Sequence, residues 1–106
     1  MFVDDAVDGL ILASQTDKTN GETFFAVSDI HYSVDEIARQ TVKYIGAGNV
    51  KYVDWPAGRK ITDVGDAVIS NKKIKEYISW SPQYNLESGL VKTKEYYESR
   101  LDKYLR

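Results

Sequence analysis

No cysteine occurs in the chain, which removes disulfides, thiolate metal sites and a cysteine nucleophile from consideration. Histidine occurs once, at His31, and with no second histidine and no nucleophile elbow a Ser-His-Asp arrangement has no basis. No apolar run reaches the length needed to span a bilayer, and the N-terminus lacks a basic region followed by a long apolar stretch. A cytoplasmic setting without a membrane partner is therefore the default expectation. Basic excess is also missing: 14 Lys and Arg face 16 Asp and Glu, a net charge of -2. The basic residues are scattered apart from Lys72, Lys73 and Lys75, a run too short to be more than a solvated helix face, so no nucleic-acid partner is expected.

What is present is ordinary for one globular domain: 106 residues, 42% hydrophobic and 28% charged, enough for a modest core. Asp4 and Asp5 precede apolar residues at helical spacing, which predicts a helix from about Asp4 to Gln15 with its acids at the positive end of the dipole. Thr16 to Gly21 reads as a turn, and Glu22 to Val27 as a buried strand. Ser33 and Glu36 form a capping box for a helix carrying Ile37, Ala38, Thr41, Val42 and Ile45, which should end at Gly46. Asn49 to Trp55 has strand composition and is stopped by Pro56. Ala57 to Ile69 reads as an ordered loop with a short extended piece at Arg59 to Ile61. Ser70 could cap a short helix over Asn71 to Ile78, and Asn85 a final helix from Leu86 to Tyr104 with Leu86, Leu90, Tyr97, Leu101 and Tyr104 in one stripe.

The second half of the chain runs Trp55-Pro56-x-x-Arg59-Lys60-Ile61-Thr62-Asp63-Val64-Gly65-Asp66, then a lysine-bearing segment, then Ser79-Trp80-Ser81-Pro82, then Asn85-Leu86-Glu87-Ser88-Gly89-Leu90-x-x-Thr93. This ordered series resembles the C-terminal end of the extended short-chain dehydrogenase/reductase enzymes that epimerise or dehydrate nucleotide sugars. Phe2-Val3-Asp4-Asp5-Ala6-Val7-Asp8 is similar to the family's aromatic-x-Val-Asp-Asp-Val-Val segment, which enters a helix beside the sugar-nucleotide site. Gly21 to Val27 resembles the next strand, with Phe25 and Val27 where the family has Asn and Gly. Ser33 to Gly46 matches its Ser-x-x-Glu helix, and Ser79 stands where a glycine is usual before the tryptophan. The resemblance covers nearly the whole chain and about the last third of a full-length member.

The elements that carry this family's chemistry do not match. The Gly-rich turn that meets a dinucleotide pyrophosphate has one candidate, Gly46-Ala47-Gly48, but it follows a predicted helix and the sixth position is Lys51. The Tyr-x-x-x-Lys pair is absent, since none of the eight tyrosines has lysine four residues on. Asp4, Asp5 and Asp8 read as a first-turn acidic cluster, and Asp63 and Asp66 lack the further oxygen ligands a hard cation needs. No catalytic, cofactor-binding or metal-binding residue is therefore assigned.

The resemblance implies a small α/β region of about four helices and two or three short strands, without a complete Rossmann domain. It implies a single substrate-binding unit over residues 1–106, the C-terminal piece of an NAD-dependent nucleotide-sugar epimerase or dehydratase, inactive alone and binding no NAD by itself. It also implies substrate contacts at Arg59, for a phosphate, and Asp66, for a ribose hydroxyl. Asp63 stands where many epimerases carry their phosphate-gripping arginine, which is why Arg59 takes that role here. The partner implied is a nucleotide-diphosphate sugar. Two other readings stand beside it: a non-catalytic module that docks or self-associates through apolar faces around Phe24, Phe25 and Val27, and a free-standing nucleotide-binding module.

Overall fold

In the computed structural model, which describes residues 1–56, 58 and 65–105, five helices are joined by long stretches of irregular backbone. Helix α1 spans Val3–Ser14 and is followed by a 3₁₀ turn at Asp17–Thr19. Helix α2 spans Val34–Ile45, α3 Lys72–Ile78, α4 Leu86–Glu98 and α5 Leu101–Tyr104.

The helix ends follow the capping chemistry. The Ser33 hydroxyl accepts the Glu36 amide at 3.2 Å while the Glu36 carboxylate accepts the Ser33 amide at 2.7 Å. The Ser33 amide, and after it the Ser33 hydroxyl donating at 2.8 Å, hold the Glu36 carboxyl below its usual range. Gly46 ends α2 at φ 80°, the left-handed conformation that costs glycine nothing. Asn85 caps α4 by accepting the Ser88 amide, and Ser88 returns a bond to the Asn85 amide. At the end of α3, Ser79 sits at φ 56° and ψ 23°. The backbone shape that explains a glycine before the tryptophan is retained here by a serine, at a local cost.

The final helix is shorter than its apolar stripe predicts. The Tyr96 carbonyl is captured by the Ser99 hydroxyl at 3.1 Å and the Arg100 guanidinium at 3.0 Å, and the Arg100 amide falls back to Tyr97. Local side-chain bonds of this kind compete with the helical ladder, so α4 stops at Glu98 and α5 restarts as a separate turn.

The α/β expectation is overturned: among the described residues the chain is helical and contains no strand. Residues 23–28 and 49–56 are irregular, and the extended piece expected at Arg59 to Ile61 lies outside the described residues. Both segments have strand-forming composition, but among the described residues neither pairs with another strand. Each segment is tethered by side chains instead. Lys73 donates to the Glu22 carboxylate at 2.6 Å and to the Thr23 carbonyl at 3.1 Å, Phe24 meets Tyr77 edge to face, and Asn71 donates to the Val27 carbonyl at 2.9 Å. Asn71 and Lys75 both donate to Asp29, lowering its carboxyl below the usual range. Tyr52 donates to Asp35 on α2 and accepts from Arg39 at 2.6 Å, and the Tyr52 bond is the larger cause of a lowered Asp35 carboxyl. These tethers hold the segments without covering them: Val53 is 75% exposed and Trp55 58%.

Little of the chain is enclosed. Its accessible surface is 8605 Å², against about 6000 Å² for a compact monomer of this mass. Its radius of gyration is 17.2 Å, against about 13 Å for a compact domain of this length.

Candidate functional site

The best-built junction joins α1 to the segment from Trp80 to Gly89. Asp5, only 1% exposed, lies on the inner face of α1 one helical turn before Gly9. Its carboxylate accepts the backbone amides of Gln83 at 2.8 Å and Tyr84 at 3.2 Å, and its carbonyl accepts the Trp80 indole N–H at 2.9 Å. A buried carboxylate is costly unless its oxygens are taken up, and here both oxygens receive an amide. Gly9 lets the indole lie against the helix, since a Cβ there would stand 3.2 Å from Trp80 Nε1. Gly89 performs the same service for Phe2, whose Cδ2 would be 3.3 Å from an added Cβ. Trp80 and Ile74 are the fully buried large apolar residues among those described. Trp80 is thus part of the buried framework, whereas Trp55 stands largely in solvent.

Beside this junction lies an open cleft of about 450 Å³. Phe2, the N-terminal half of α4 and the 27–32 segment form its walls, and α2 packs on α4 behind it. Its lining is mostly apolar, with His31, Asn85 and Thr93 among the polar contributors. Volume and character suit a small organic ligand.

Tyr84, which lines the cleft, also meets Lys92. Lys92 Nζ donates to the Tyr84 hydroxyl at 2.9 Å, lies 4.7 Å from the centre of its ring and stands 3.9 Å from the Asp4 carboxylate. The Tyr84 hydroxyl is the main cause of a Lys92 pKa above its usual value. A tyrosine and a lysine are therefore adjacent although no Tyr-x-x-x-Lys motif exists. They come from a loop and a helix rather than one helix face, and the lysine is also neutralised by Asp4.

Of the sequence-predicted contacts, Asp66 is exposed and follows Gly65, which is in the left-handed conformation at φ 68°. Its neighbour Ala67 lines the cleft, and Asp66 itself does not. Arg59 lies outside the described residues, as does Asp63. The Gly46-Ala47-Gly48 turn closes α2 rather than opening a helix. It therefore does not offer a helix N-terminus to a dinucleotide pyrophosphate. Among the described residues no cluster of three or more His, Asp or Glu side chains could hold a metal, and no helix is long and apolar enough to cross a membrane.

Sequence reasoning missed the role of Asp5, reading it with Asp4 and Asp8 as dipole-complementing acids. The available signal was the i, i+4 pairing of an acid with a glycine on one helix face. Tyr84 with Lys92 left no sequence signal, because their proximity depends on the loop after Pro82.

No family model matches the chain, and no solved structure matches it. Among curated proteins it is similar to a UDP-glucose 4-epimerase of Mycolicibacterium smegmatis, 25% identical over 100 residues. That alignment covers 94% of this chain and 31% of the epimerase, so the chain spans about a third of its relative's length. The similarity is that of a distant, epimerase-like relative.

Proposed function

We propose that the chain is the substrate-facing C-terminal portion of an NAD-dependent nucleotide-sugar epimerase or dehydratase, and that it does not turn over substrate alone. The observation that carries this reading is the docking of the Phe2-to-Gly9 segment on the Trp80-to-Gly89 segment. These are the two ends of the motif series that resembles the family, and in the folded chain they form one junction beside an open cleft. The relative's name points to the same substrate class, a uridine diphosphate sugar.

In this reading Arg59 holds the pyrophosphate through its planar guanidinium and Asp66 accepts a ribose hydroxyl. NAD belongs to the whole enzyme, and no residue of this chain is assigned to it. Hydride and proton transfer are likewise assigned to no residue here.

The test is titration of the 15N-labelled chain with UDP and with UDP-glucose. Amide shifts at Gly65, Asp66 and Ala67 are expected to move, and Arg59→Ala is expected to weaken UDP binding about 10-fold, in line with loss of one charge-assisted bond. An unperturbed 65–67 segment at saturating UDP contradicts the reading, and so does turnover of UDP-glucose by the chain alone.

A further inference from the structure

Residues 22–32 give the cleft one of its walls, through Val27, Ser28, Ile30, His31 and Tyr32. The segment is fixed at its ends. The Glu22 amide closes a turn on the Thr19 carbonyl at 3.0 Å, and Ser33 is locked in the capping box of α2. Between these points, among the described residues, no backbone group of 23–32 bonds another backbone group, and no residue of 22–32 is buried. Its polar contacts with the rest of the described chain all end on α3 and the residue before it. Lys73 donates to the Glu22 carboxylate and the Thr23 carbonyl, Asn71 to the Val27 carbonyl and the Asp29 carboxylate, and Lys75 to Asp29. The Phe24 ring meets Tyr77 of the same helix, 5.3 Å between centroids. Asn71 is the most telling of these residues. It stands at the N-cap of α3, where an asparagine ordinarily accepts an amide of its own helix, and it makes no such bond. Its side chain is given to the 22–32 segment instead. The helix itself is anchored in the framework by Ile74, 4% exposed, and by Trp80 just past its end.

We propose that residues 22–32 are a strap latched onto α3 by Asn71, Lys73 and Lys75, and that this latch sets whether the cleft keeps its second wall. With the latch broken, the segment has no backbone ladder and no buried side chain to hold it, so it swings on its two fixed ends and carries His31 away from α4. Lys73 and Lys75 act through ion pairs with Glu22 and Asp29, so access to the cleft responds to ionic strength as well as to the latch residues. The strap is defined without a ligand. A chain that ignores UDP therefore leaves it intact, and a chain that binds UDP without a moving strap removes it alone.

Because the chain has no cysteine, Phe25→Cys on the strap and Glu95→Cys on α4, both at exposed positions, place two nitroxides unambiguously. Double electron–electron resonance on the full chain at low salt is expected to give one narrow distance distribution. Asn71→Ala with Lys73→Ala and Lys75→Ala is expected to replace it with a broader and longer one, the unlatched share rising at least about 10-fold with the loss of several hydrogen bonds. Sodium chloride at about 1 M, where the screening length falls to about 3 Å, is expected to move the unmutated latch part of the way. Lys72→Ala removes an ion pair with Glu76 inside α3 and is expected to leave the distribution unchanged. Exchange of the Gln83 and Tyr84 amides, read on each variant, separates release of the strap from unfolding, and their protection is expected to persist. A triple variant that keeps the narrow distribution overturns the proposal. So does a distribution already broad at low salt, a latch unmoved by salt, an equal shift with Lys72→Ala, or a shift that comes only with loss of the Gln83 and Tyr84 protection.

Discussion

The junction of Asp5 with Trp80 and the segment from Asn49 to Pro56 have similar raw material and opposite fates. Each holds an aspartate, a tryptophan, a proline and a tyrosine within or beside it. At the junction the tryptophan is 2% exposed and its indole N–H is bonded, and the carboxylate takes two amides. In the 49–56 segment the tryptophan is mostly in solvent and one phenol tethers the backbone to α2. The difference lies in what each motif requires. The junction is completed by two segments of the same chain, whereas a strand requires a partner strand to take up its backbone groups, and among the described residues the 49–56 segment has none.

The largest expected effect tests the completed side of this comparison. Trp80→Ala removes the main buried side chain and leaves the Asp5 carbonyl without its partner, so a loss of about 3–5 kcal/mol is expected, read by urea denaturation followed by circular dichroism. Trp55→Ala, at an exposed site, is expected to stay within about 0.5 kcal/mol of the parent. Equal losses would erase the distinction. A smaller change sharpens it: Ser79→Gly relieves a left-handed residue immediately before Trp80 and should stabilise the chain by about 1 kcal/mol in the same assay.

The helices were legible because their signals are local. Ser33, Glu36 and Gly46 carry the start and end of α2 locally, and Asn85 carries the start of α4. The strands were misread because Phe24, Phe25, Val50 and Val53 advertise burial without saying against what, and in this chain the sheet they suit does not form. The early end of α4 followed from Ser99 and Arg100 competing for one carbonyl, which an apolar stripe running on to Tyr104 conceals. At the site, the buried role of Asp5 emerges only where α1 meets the 80–84 segment, which no local pattern in the sequence announces.

Native-state amide exchange of the chain tests the central claim, that its stability is concentrated where α1 meets the segment from Trp80 to Gly89 and not in its strand-like segments. The Gln83 and Tyr84 amides, held by Asp5, are expected to exchange only with global opening, while the amides of 23–26 and 50–54 exchange at rates close to those of unstructured peptide. Protection at 50–54 equal to that of Gln83 would contradict the account.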